Sequence, residues 1–266
     1  MEAKSNEELF FRALAKQNLG NLPGALSDFD QVLTLDPNDV DTLVTRCGLL
    51  SDMGQFAAAI ESCKKAIQLG AGQSVYFNLG IAQQGLGDLQ GSINSFKTAA
   101  DFSQRSNNQD LNQKSTQRLE LLQRVARREL SLYAVNQFLN AADLALAGNT
   151  SQAIRIYEGI IRQTPNFAEA HLELANCLAL QKNYQAALKE YQIAERLNPN
   201  SISTYNNRAA IWIEAEGNYK NARADLVKAR SLAQTQSSQN QNSQDLVKFL
   251  DQALAEVDLM EKAARK

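Results

Sequence analysis

The sequence predicts an all-α solenoid, on three observations. A helix-turn-helix unit of about 34 residues recurs six times, punctuated at Gly20-Asn21, Gly54-Gln55, Gly87-Asp88, Gly148-Asn149, Lys182-Asn183 and Gly217-Asn218. Within the units, apolar residues fall at i, i+3, i+4 and i+7, the spacing of one buried face per helix. Only four prolines interrupt 266 residues, of which 44% are hydrophobic, so strands are not expected. Units of this length bury a core only by stacking on their neighbours, and chains built this way bind more often than they catalyse.

The elements follow in order. Ser5-x-x-Glu8 is a capping box that opens unit one, which carries Leu9, Ala13, Ala25, Phe29 and Pro37. Asp36-Pro37-Asn38-Asp39 turns the chain into unit two, with Leu43, Cys47, Leu50, Ala59 and Ala66. Unit three has Tyr76, Leu79, Gly80, Phe96 and Ala99; unit four has Ala141, Leu144, Ala153, Tyr157 and Pro165. Unit five is the clearest: His171, Leu174, Ala175 and Leu178 on its first helix, then Ala187, Tyr191 and Ala194 on its second, with Pro199 following. Unit six has Tyr205, Ala209, Trp212, Ala222, Leu226 and Ala229, with one extra residue in its turn.

The second half repeats the first. Residues 6–102 hold units one to three, and 103–133 hold a Gln/Asn-rich connector and an amphipathic basic helix with Leu119, Leu122, Ala126, Leu130 and Tyr133. Residues 134–232 hold units four to six, 233–242 a Gln/Ser/Asn-rich loop, and 243–266 a capping helix with Leu246, Phe249, Leu250, Ala253, Leu254 and Val257. The polar connectors cannot bury an apolar face and are expected to be mobile loops. Whether the two blocks stack continuously or form two lobes stays open.

The pattern resembles the tetratricopeptide repeat: large, Leu, small and aromatic on helix A; Ala, aromatic, Ala and Pro on helix B. Arg12, Arg46 and Arg208 depart from it where the family prefers Leu, and Gln137 and Asn140 weaken the start of unit four. The resemblance implies a right-handed superhelix whose concave groove is lined from helix A. Its places here include Phe10, Leu14, Val44, Phe77, Ile81, Phe138, Leu172, Asn176, Asn206 and Asn207. That ladder is mostly apolar, and an exposed apolar patch marks a partner site. The expected partner is a protein or an apolar or amphipathic peptide, with Phe77 and Phe138 as anchors; the chain acts as scaffold, adaptor or assembly factor. Packing of the phenylalanines between A helices or under the adjoining cap is the alternative placement.

Two other readings of function follow. One is a self-associating structural protein. The other is a degenerate carboxylate clamp, the device by which chaperone-binding members of the family hold an acidic carboxy terminus. Asn176 and Asn207 match its asparagines, but Leu172 replaces its first lysine, no later unit supplies Lys-x3-Arg, and Leu14 and Thr45 replace the asparagines in the first half.

Composition excludes other classes. With 27 basic and 29 acidic residues there is no global field to hold a polyanion. Lys114, Arg118, Arg124, Arg127 and Arg128 form a local basic patch, diluted by Glu120 and Glu129 and without interleaved aromatics, so nucleic acid is not expected. The same patch leaves contact with an acidic partner or an anionic membrane surface open. No apolar run is long enough for a transmembrane segment, and Met1 to Asn6 is too polar for a secretory signal, so a cytoplasmic chain is expected. Three cysteines at irregular spacing make neither a disulfide framework nor a metal site; Cys47, Cys63 and Cys177 are read as small hydrophobes in a reducing compartment. The one histidine, His171, holds a packing position. No nucleophile-base pair, metal constellation or phosphate loop is present, so no enzyme activity, cofactor, metal or small-molecule substrate is expected. The sequence fixes no oligomeric state.

Overall fold

The computed structural model describes residues 5–236 and 241–264. The described residues form fourteen α-helices and no strand: α1 (Asn6–Asn18), α2 (Leu22–Leu35), α3 (Val40–Asp52), α4 (Phe56–Gln68), α5 (Gln73–Leu86), α6 (Leu89–Arg105), α7 (Gln109–Ala126), α8 (Leu132–Leu146), α9 (Thr150–Gln163), α10 (Ala168–Leu180), α11 (Tyr184–Leu197), α12 (Ile202–Glu214), α13 (Tyr219–Gln236) and α14 (Gln241–Ala264). The chain divides into two compact units between Leu132 and Tyr133. Unit 1 contains three helix hairpins followed by α7, which packs on α6; unit 2 contains three hairpins followed by α14, which packs on α13.

Each hairpin is set by local chemistry. Ser5 and Glu8 form the reciprocal capping box at α1, and the Asp39 side chain accepts from the Thr42 amide at α3. Gly20, Gly54, Gly87, Gly148 and Gly217 turn the hairpins with positive φ, a conformation that costs a side-chain-bearing residue free energy. Unit five has no glycine at this place, and Lys182 takes φ 60° instead.

Size alternation then seats the helices. Ala13, Ala141, Ala175 and Ala209 on first helices face Ala25, Ala153, Ala187 and Ala222 on second helices, all buried. Phe29, Phe96, Tyr157 and Tyr191 fill the space beside them, also buried. At Gly80 the approach is so close that a Cβ would lie 2.9 Å from the Phe96 ring. The arginines that stand in Leu places bond to neighbouring helices: Arg12 donates twice to Asp28 on α2, and Arg46 donates to Ser62 on α4 and to Asp30 on α2.

Three expectations are corrected. Cys47 and Cys63 are not separate small hydrophobes: they form a disulfide between α3 and α4. Their separation of 16 residues is that of the small-aromatic pairs Ala13–Phe29 and Gly80–Phe96, so a covalent link stands in unit two where other units press a ring on a small residue. The loops are shorter than composition predicts. Helix α6 continues to Arg105 because Ser103 is buried and its hydroxyl donates to the Ala99 carbonyl. Helix α13 continues to Gln236 because Ala233, one turn beyond Ala229, joins the core with Leu250 and Val257 of α14; residues 237–240 of the expected loop lie outside the described residues.

Candidate partner-binding surfaces

In unit 1, the first turns of α3 and α5 and the end of α6 leave a cavity of about 550 Å³. Phe10, Val40, Val44, Ala71, Val75 and Phe102 line it with apolar surface, and Asp41, Thr45, Gln73, Ser74 and Ser106 add polar groups. Its walls are held from behind. The Phe10 ring packs on Phe29 with centroids 5.7 Å apart, and Val44 packs on the core shared by α3, α4 and α5. Phe102 stacks on Tyr76 at 5.5 Å and carries the Arg105 guanidinium 5.0 Å from its ring centroid, yet remains 39% exposed.

Phe10 and Val44, read from the sequence as neighbours in a groove, thus share one cavity. Leu14 is half-buried against Ala13, Ala25 and Phe29, and Ile81 is half-buried. The two expected anchors are placed differently. Phe138 is buried, its ring 5.8 Å from Tyr157 and 5.0 Å from Phe167, so it is a core residue and not an exposed anchor. Phe77 is half-buried against Phe96 at 5.4 Å, and Arg118 of α7 lies 5.8 Å from its ring centroid. In both cases a neighbouring element supplies a cover that periodicity within one helix does not reveal.

In unit 2 the expected residues form a polar network. Asn176 Oδ1 accepts from Tyr191 Oη at 2.6 Å and from Asn207 Nδ2 at 2.9 Å, and Asn176 Nδ2 donates to Glu173 at 3.1 Å. Asn206 Nδ2 donates to Asn207 Oδ1 at 3.3 Å, and Leu172 packs beside them on the core formed by Ala175, Ala187, Tyr191 and Ile211. Burial raises the Glu173 carboxyl above its ordinary range, against the hydrogen bond from Asn176. Sequence reading missed Glu173; the signal was a carboxylate three residues before Asn176 on the same helix face.

The basic residues of α7 do not form an open patch. Lys114 pairs with Asp110, Arg124 and Arg127 pair with Glu129, and Arg118 lies over Phe77 and Phe96. Arg128 is exposed just past the helix with φ 62°. His171 is buried, with Nδ1 2.6 Å from Glu190 and Nε2 3.0 Å from the Pro165 carbonyl, and it ties α10 to α11. Burial pushes the Cys177 thiol up to about 11, which suppresses thiolate chemistry. Among the described residues, no cluster of three or more His, Cys, Asp or Glu is placed to hold a metal, and no helix is long and apolar enough to cross a membrane.

Two family models for the tetratricopeptide repeat match the chain, over residues 138–202, from within α8 to the start of α12, and over 48–69, the end of α3 with α4. The chain carries tetratricopeptide repeats. This repeat chain is 24% identical over 208 residues to the Hsp70-Hsp90 organizing protein of Triticum aestivum, a match covering 75% of this chain and 32% of that protein. It is 23% identical over 200 residues to Hsp70-Hsp90 organizing protein 3 of Arabidopsis thaliana, covering 75% and 31%. The repeat chain therefore spans about a third of the length of these curated relatives. Among solved structures it matches the TPR2AB domain of yeast Sti1 in its pHSP90 complex with 18% identity and a TM-score of 0.42, over 95% of this chain and 98% of that one.

Proposed function

We propose that this tetratricopeptide-repeat protein is a non-catalytic interaction scaffold whose first unit holds an apolar or amphipathic segment of a protein partner. The observation that carries the reading is the cavity between Phe10, Val44 and Phe102. Its lining is apolar or neutral except for Asp41, which suits side chains of a peptide presented at helical or extended spacing. Nothing in the lining offers a nucleophile beside a base, as a small-molecule reaction site requires.

The named relatives organise Hsp70 and Hsp90, which raises the carboxylate clamp as a recognition mode. Glu173 argues against it. The amides of Asn176 and Asn207 are engaged within unit 2, and Glu173 sets a carboxylate where a clamp would need to attract one. Like charges brought together away from water repel, so an acidic terminus is disfavoured there.

Selection from a displayed library of random peptides on the full chain tests the reading. Enrichment of amphipathic segments that disappear with Thr45→Arg, which fills the cavity from a half-exposed position, is the expected result. No enrichment over an unrelated helical protein would overturn it.

A further inference from the structure

Two successive levels of unit 2 are built in the same register but completed differently. At the later level Tyr191, Asn176 and Asn207 satisfy one another through the two hydrogen bonds to Asn176 Oδ1. One repeat earlier the corresponding places are held by Tyr157, Ala142 and Glu173. Alanine offers no amide. The Tyr157 side chain is fully buried, and its hydroxyl has no hydrogen-bond partner among the described residues. Among the described residues Glu173 is left with the one hydrogen bond from Asn176, and no cation pairs with it. A buried hydroxyl without a partner and a half-buried carboxylate with one donor are both costly, and one donor group between them would relieve both.

The surroundings specify the charge of that group. Helices α8 and α10 carry Asp143, Glu169 and Glu173 and contain no Lys or Arg, and Arg155 and Arg162 of α9 are exposed. On α12 the one basic residue, Arg208, is committed to Asp225 and Glu195. We propose that the place of the missing amide, between Glu173 and Tyr157, is a subsite of unit 2 for a lysine side chain of a protein partner. An ammonium brings three donors, enough for the carboxylate and the hydroxyl oxygen together. The subsite rests on the reading of the chain as a segment-binding scaffold and adds to it a charge preference of unit 2. It inverts the preference of a carboxylate clamp: a basic amphipathic segment is selected and an acidic one rejected.

The test uses a displayed random-peptide library and three full-length proteins: wild type, Glu173→Gln and Ala142→Asn. Glu173→Gln keeps an acceptor for Asn176 while removing the charge. Ala142→Asn supplies the amide found one repeat later, so it closes the subsite without touching Glu173. Wild type should enrich peptides with Lys beside apolar residues. Replacing that Lys by Gln in the selected peptide should weaken binding by about tenfold or more, and both variants should reduce that ratio to near one with melting temperatures no lower than wild type. Equal binding of the Lys and Gln peptides to wild type, or enrichment of Asp and Glu, overturns the subsite and leaves the scaffold reading intact. Enrichment of no peptide at all overturns both.

Discussion

Arg208 grips Asp225 with two parallel hydrogen bonds, Nε to Oδ2 at 2.8 Å and Nη2 to Oδ1 at 2.7 Å, across the α12–α13 hairpin. Both side chains are about nine-tenths buried, Glu195 engages the remaining guanidinium edge, and Trp212 Nε1 donates to Asp225 at 3.1 Å. Burial alone would lower the guanidinium, but the hydrogen bonds to Asp225 and Glu195 outweigh it and the net effect is upward. The arginine thus does in unit six what Leu does elsewhere, joining helix A to helix B, through a fork of charged hydrogen bonds in place of apolar contact.

Removing one partner of such a pair costs far more than removing both. Asp225→Ala strands three donors, Nε and Nη2 of Arg208 and Nε1 of Trp212, and is expected to destabilise unit 2 by about 3–5 kcal/mol, whereas Arg208→Leu/Asp225→Leu should cost less than half of that. Urea unfolding followed by far-UV circular dichroism, with Trp212 as the one tryptophan reporter in the chain, measures both. A double variant as unstable as the single one would contradict this account.

Unit 1 carries the corresponding pair in a pH-sensitive form. The hydrogen bonds from Arg12, opposed by burial and joined by Lys16, hold the Asp28 carboxyl below its ordinary value of 3.8. A carboxyl lowered on folding contributes stability that is complete above its unfolded value and is lost as pH falls through the folded value. Asp28→Asn should therefore be less stable than wild type by a constant margin near neutral pH, and the margin should shrink below about pH 3.8. A margin that does not change with pH, read from urea midpoints, would contradict it.

The disulfide gives a direct chemical count. Alkylation of denatured, unreduced protein should label Cys177 alone, and prior reduction should expose all three thiols to the reagent. Because Cys47 and Cys63 close a loop of 16 residues, reduction should destabilise unit 1 by about 3 kcal/mol in the chain-entropy account. Three labels without reduction would remove the bond from the fold.

Lys182 at φ 60° stands where the other hairpin turns have glycine. Left-handed backbone costs a non-glycine residue about 1–2 kcal/mol, partly offset by the greater freedom glycine has when unfolded. Lys182→Gly is expected to raise the melting temperature by about 2 °C in differential scanning calorimetry. A lower melting temperature would show that the lysine side chain contributes more than its backbone costs.

The repeat period, the capping box and the small-large alternation were legible because each depends on residues close in sequence. Cavity residues were legible only in part. Phe10 and Val44 lie on helix A at equivalent places, but Phe102, the last residue assigned to unit three, reaches the cavity from helix B, near the end of α6, where the repeat pattern marks no groove place. Phe138 shows the other limit: one residue of register is a rotation of about 100° around a helix, enough to carry a ring from a groove to the core. Cys47 and Cys63 were unremarkable as a pair of spacings until their separation matched the small-aromatic pairs of neighbouring repeats.

The central claim is that a partner segment is anchored in the cavity of Phe10, Val44 and Phe102. Fluorescence-anisotropy titration of one selected peptide into wild type and Thr45→Arg, at matched unfolding midpoints, tests it most directly. The account predicts a loss of about tenfold or more in affinity for the variant, about 1.4 kcal/mol. Equal affinities would place the segment elsewhere on the chain and contradict it.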